Sequence, residues 1–142
     1  MLRDRFAAAL APRRTYHAHC DIPCGIYDPH AAQLAARTVS RMVELIQQNL
    51  GEDPEQRNKF VRCVKVKEEH AEICKRELQI IWSDYFKPEH LEKYPNLHDL
   101  VWKALKQAGK CKQSVDPAAA AELEAQVARI AEIFWETKGG KA

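Results

Sequence analysis

No excess of one charge runs through this chain: lysine and arginine number 22, aspartate and glutamate 20, in 142 residues. Without a strong field of one sign, a surface built mainly to hold nucleic acid or an anionic membrane is excluded. Long apolar runs are also missing. The longest near the start is Phe6-Ala7-Ala8-Ala9-Leu10-Ala11, too short to span a bilayer and short for a secretory core. No stretch alternates as a half-buried strand would, and no internal repeat is present. The only biased segment, the alanines at 118–121, is simply good helix former. With 46% hydrophobic content the chain closes one core and has little left for a second domain.

A paired cysteine framework is lacking too. Cys63 and Cys74 are eleven residues apart, on one helix face but separated by roughly 16 Å, beyond disulfide reach. Cys74 lies on an apolar stripe and reads as a small core residue, with Cys63 flanking it and Cys111 near a helix end. Five cysteines without such a framework fit a reducing cytoplasm.

What is present is helical. Asp28-Pro29, Asp53-Pro54 and Asp116-Pro117 each set a capping acceptor before a proline, which loses nothing at the first helical position. Asn96 with Asp99 suggests a fourth start, a loose capping box. Apolar residues recur at helical spacing as Val39, Met42, Val43, Ile46 and Leu50, then as Phe60, Val64, Ala71, Cys74, Leu78 and Ile81. Leu100, Ala104 and Leu105 form a shorter stripe, and Leu123, Val127, Ile130 and Phe134 a fourth. Helices over 29–49, 54–83, 97–111 and 117–137 predict an all-α fold, an antiparallel four-helix bundle. The connection at 85–95 holds two prolines and three aromatic residues, a packed and rigid segment.

Residues 1–18 carry four arginines, Pro12 and many alanines but no pattern that would dock them on a core, so they read as a removable or flexible leader, against the alternative of an ordinary disordered terminus. The chemistry concentrates just after it. His19, Cys20 and Cys24 place an imidazole and two thiols within six positions, and Pro23 and Gly25 bend the chain so that Cys24 returns toward Cys20. Thiolates are soft donors and imidazole suits nickel, copper, zinc or iron. On spacing alone a metal site, a redox disulfide and two ordinary thiols all stay open.

The full string His-Cys-Asp-Ile-Pro-Cys-Gly-Ile-Tyr-Asp-Pro at 19–29 resembles the hook that opens mature nickel superoxide dismutases, with nine of its eleven positions defined by that motif. Trp-Ser-Asp-Tyr-Phe-Lys-Pro at 82–88, Glu-Lys-Tyr-Pro at 92–95 and Ile-Phe-Trp-Glu-Thr-Lys at 133–138 continue the likeness in the same order. The family fold is a four-helix bundle, with the hook at 19–28 irregular. The resemblance implies superoxide disproportionation by Ni(II)/Ni(III) cycling, with one nickel ion per subunit. It implies ligands from the amine and imidazole of His19, the thiolate and backbone nitrogen of Cys20, and the thiolate of Cys24. Cleavage before His19 by a maturation protease would free that amine. Tyr27 falls at the mouth of the site with Tyr85 beside it, their hydroxyls ordering water and restricting anions, and Asp21 and Lys87 hold the hook against the body. A homohexamer is implied as well.

Two positions depart from the pattern. Where family members carry a glutamate and an arginine that support the hook histidine, this chain aligns Ala35 and His70. His70 is the candidate replacement for the arginine, against the ordinary alternative of a structural histidine. A non-catalytic nickel carrier or sensor would share the thiolates but would need neither Tyr27 at the entrance nor an amine ligand.

Overall fold

Asp53 and Asp116 do what their position before proline predicts. In the computed structural model, which describes residues 25–49 and 51–139, the Asp53 carboxylate accepts from the amides of Glu55 and Gln56. That of Asp116 accepts from Ala118 and Ala119. Asp28 accepts from the His30 amide at 2.7 Å, so the first helix begins one residue later than predicted. Asn96 makes no side-chain cap, and Asp99 pairs with Lys103 at 2.6 Å instead.

Among the described residues four long helices result: α1 His30–Gln48, α2 Pro54–Ile80, α4 Leu97–Gln113 and α5 Pro117–Thr137, with the short α3 Pro88–Lys93 between α2 and α4. α1 packs on α2 and α5, and α4 packs on the same two, which makes the antiparallel four-helix bundle. Among the described residues there is no strand. The predicted stripes face inward: Val39, Val43 and Ile46, then Ala71, Cys74, Leu78 and Ile81, then Ala104, then Leu123, Val127, Ile130 and Phe134 are buried. Met42, Phe60, Val64, Leu100 and Leu105 are only half-buried, and Leu50 lies outside the described residues. Ala32, Ala35 and Ala36 are buried on α1, and such small side chains let it lie close to its neighbours.

Two features depart from the expected spans. The end of the second helix widens into a π-helical turn, Ile81–Tyr85, in which the Phe86 amide reaches back five residues to the Ile81 carbonyl at 3.2 Å. The Ser83 hydroxyl competes for the Gln79 carbonyl at 2.8 Å, which favours that widening. The segment at 85–95 contains the helix α3, too short for a visible stripe. It starts because extended Lys87 precedes Pro88 at the first position and because His90 Nδ1 accepts the Lys87 amide at 3.1 Å.

The core also holds a lysine. Lys67 is 2% exposed, and its ammonium donates to the carbonyls of Cys111, Lys112 and Ser114 at 2.6, 2.7 and 2.9 Å. Its three protons are thereby matched to three acceptors, and the cation sits at the negative end of α4. Burial pulls its pKa below the ordinary lysine value. No apolar periodicity marks such a residue; it occupies a stripe position that sequence reading assigns to solvent.

Candidate metal centre

Gly25 carries a φ of +68°, the left-handed region that glycine enters without strain. From there the chain runs through Tyr27 to the Asp28 cap of α1. It therefore meets the bundle at the end where the π-helical turn and the last turn of α5 also arrive.

There a cavity of about 340 Å³ is lined by Gly25, Tyr27, Asp84, Tyr85, Lys87 and His90. Tyr27 and Tyr85 meet with ring centroids 5.7 Å apart and planes at 54°. Behind them, Tyr85 rests on Phe134 at 4.4 Å and stacks on His90 at 5.6 Å with planes 21° apart. The Tyr85 hydroxyl lies 2.7 Å from that of Thr137, at the end of α5. Lys138, one residue on, holds its ammonium 5.5 Å from the Tyr85 ring and 4.9 Å from the Phe134 ring, and donates to the Tyr27 carbonyl at 3.4 Å. The Asp84 carboxylate lies 2.7 Å from the Ser83 hydroxyl and shares that hydroxyl's single proton with the Gln79 carbonyl. Among the described residues Lys87 has no ion-pair partner.

The structure thus brings together three of the predicted site residues, Tyr27, Tyr85 and Lys87, from two distant parts of the chain. His19, Cys20, Asp21 and Cys24 lie outside the described residues, as does the leader at 1–18. His70 is not among the cavity residues: it sits in the middle of α2, roughly 20 Å along the helix axis from Tyr85, and its Nδ1–H donates to the Val66 carbonyl at 3.0 Å. Ala35 is buried in the bundle. Sequence reading missed His90, Thr137 and Lys138 as parts of this end of the molecule. The motif at 133–138 contained the last two, and His90 lies inside the segment singled out for its rigidity.

The remaining thiols stand apart. Cys63, Cys74 and Cys111 are buried and free. Burial pushes the Cys74 thiol up to about 12 and that of Cys111 above its ordinary value, so both stay protonated near neutrality. Cys111 Sγ approaches the Ala119 carbonyl at 3.4 Å. A larger hollow, about 650 Å³, opens at the other end of α1 and α2 beside Met42, Leu45, Arg62, Cys63 and Val66. Its single thiol is buried in helix packing, so size does not identify the site. Among the described residues no cluster of three or more His, Cys, Asp or Glu is able to hold a metal ion. None of the helices described is long and apolar enough to cross a membrane.

Comparison with known proteins covers most of the chain. Residues 14–138 match the family model of nickel-containing superoxide dismutase. The chain is 44% identical over 128 residues to the superoxide dismutase [Ni] of Streptomyces coelicolor, covering 90% of this chain and 94% of that protein. It is 42% identical, with the same coverage, to the superoxide dismutase [Ni] of Streptomyces seoulensis. Its fold is similar to the native nickel superoxide dismutase structure with a TM-score of 0.77, at 43% identity, covering 84% of this chain and 98% of that one. A structure of nickel-containing superoxide dismutase with ligation corresponding to the oxidised state aligns with a TM-score of 0.74 at 42% identity, over 84% of this chain and 98% of that one.

Proposed function

The chain belongs to the nickel-containing superoxide dismutase family, and on that footing we propose that its metal is held at an N-terminus created by cleavage before His19. The reaction class follows from the family: two superoxide ions and two protons give dioxygen and hydrogen peroxide, with nickel as the cofactor. The ligands in this reading are the amine and imidazole of His19, the thiolate and backbone nitrogen of Cys20, and the thiolate of Cys24. Two thiolates and nitrogen donors suit nickel, which when bound supplies a one-electron couple between its divalent and trivalent states.

The fit rests on Gly25. Gly25, in its left-handed conformation, follows Cys24 directly and lines the cavity beside Tyr27 and Tyr85. In this reading the cavity is where the hook joins the body of the protein. Among the described residues, a small anion entering there encounters two phenols, the Lys87 ammonium and the His90 imidazole, with the Asp84 carboxylate as the one group of its own sign. Asp21 is the natural partner for Lys87, an ion pair that anchors the hook to the body of the protein. The mature enzyme in this reading comprises residues 19–142, binds one nickel ion per subunit, assembles as a homohexamer and works in the cytoplasm.

The test exploits the amine. In a chain starting at Met1 the His19 nitrogen is a peptide amide, a different donor from a primary amine. The Met1 form, confirmed uncleaved by mass spectrometry, is expected to show little superoxide dismutation with ample nickel, whereas a chain starting at His19 binds nickel and turns over. Equal activity of the two forms would disprove the amine ligand.

A further inference from the structure

The direction of the Tyr85 hydroxyl follows from counting protons. Thr137 Oγ1 lies 2.6 Å from the Phe134 carbonyl, and two oxygens at that distance need a proton between them. A carbonyl has none to give, so the Thr137 proton is there. Thr137 has only that one. The second short contact, 2.7 Å between Thr137 Oγ1 and the Tyr85 hydroxyl, must then be bridged by the Tyr85 proton. Tyr85 is the donor, and its proton points away from any group approaching from the cavity.

We propose that Thr137 is a positioning residue of the dismutase site, fixing the Tyr85 hydroxyl so that its oxygen offers the cavity a lone pair and no proton. The ring cannot easily turn to escape this, since Phe134, His90 and Tyr27 hold it from several sides. The consequence for substrate is one of sorting. Superoxide is an unprotonated anion and gains nothing from a lone pair, so its hydrogen bonds come from other groups at the cavity, such as the Lys87 ammonium. Water and hydrogen peroxide carry protons and can donate to Tyr85. Tyr85 thus serves the protonated species alone.

The inference rests on the assignment of the dismutase site to this cavity, and its test separates the two. The tyrosine doublet in ultraviolet resonance Raman spectra responds to whether a phenol donates or accepts. In the metal-free full-length protein, the difference between wild type and Tyr85→Phe is expected to show a donor phenol, and in Thr137→Val that donor signature is lost. Thr137→Val keeps the side-chain shape, and the Phe134 carbonyl retains the Lys138 amide at 3.3 Å. An acceptor signature in wild type, or an unchanged doublet in Thr137→Val, overturns the proposal whatever the enzyme's activity. In the nickel-loaded protein, freeing the Tyr85 proton is expected to tighten inhibition by azide about tenfold, the size of one hydrogen bond to a charged acceptor. Thr137→Ser restores the wild-type value. Azide inhibition unchanged in Thr137→Val, with the doublet altered, would remove the functional half of the claim. Should Thr137→Val fail to fold, the wild-type doublet still decides it, since an acceptor phenol at Tyr85 overturns the proposal.

Discussion

Lys138 donates its ammonium proton to the Tyr27 carbonyl across 111 residues of sequence. This ties the end of the last helix to the segment that leads into the hook. The same ammonium covers the rings of Tyr85 and Phe134, so one side chain touches both walls of the cavity.

Replacing it tests how much that tie matters. Lys138→Met keeps the aliphatic stem but removes the donor and the charge, and is expected to weaken retention of nickel and to lower kcat/KM by about two- to fivefold, the worth of an exposed cation–π contact. Lys138→Arg should recover most of the loss. Nickel content and turnover indistinguishable from wild type in Lys138→Met would make the contact incidental.

The ligand assignment gives the sharpest contrast among the cysteines. Cys20→Ser and Cys24→Ser should each lower dismutation by more than about a hundredfold, because a neutral hydroxyl does not match a thiolate's donation to oxidised nickel. Cys63→Ser and Cys111→Ser should stay within about twofold of wild type. Pulse radiolysis on samples of known nickel content measures all four. A hook variant with bound nickel and near-normal turnover contradicts the assignment.

Lys67 concerns stability alone. Lys67→Met fills a similar volume but abandons three carbonyls at the end of α4. The expected cost is on the order of 3 kcal/mol, or a fall in Tm of roughly 10 °C. Thermal unfolding followed by circular dichroism reads it directly, and a change below about 1 kcal/mol would show that water takes over the carbonyls.

The buried thiols predict an alkaline limb. Because Cys74 is raised from 9.0 to about 12 in the folded protein, the unfolded chain loses this proton first as pH climbs. Stability is complete below the unfolded pKa and declines as pH rises through 9 toward 12. From pH 8 to 10 the loss attributable to Cys74 is on the order of 1 kcal/mol. Urea titrations at both pH values check it, and Cys74→Ala should show a shallower dependence. At pH 8 neither Cys74 nor Cys111 of the native protein should react quickly with a thiol reagent.

Much of the fold was legible because its signals are local. Asp53 and Asp116 cap their helices through their own neighbours, and stripes such as Leu123, Val127, Ile130 and Phe134 need only a helical period to be recognised. Tyr27, Tyr85 and Lys87 were found through their motifs, although only the structure shows that they share one cavity. Harder to see were interactions that close over long stretches of chain. Lys67 reads as a solvated residue until the end of α4 is folded over it, and Thr137 reads as a helix terminus until Tyr85 arrives from 52 residues away. The π-helical turn has no periodic signature of its own, and its trace in the sequence is the serine at 83.

That turn also constrains how the chain can change in length. A π-helical turn accommodates one residue more than the α-helical turn it replaces, so deleting a residue between 81 and 85 would let the helix close into regular α geometry. Side chains beyond the turn would keep nearly their old phase, but those inside it would be re-aimed, because the removed residue no longer widens the turn. Tyr85 would leave Phe134 and Thr137, and Trp82 its hydrogen bond to His98 at 2.7 Å. The loop between α1 and α2 carries no comparable phase relationship to the cavity. Insertions and deletions are therefore admissible there, while the segment at 81–85 is locked in length by the phenol it has to aim.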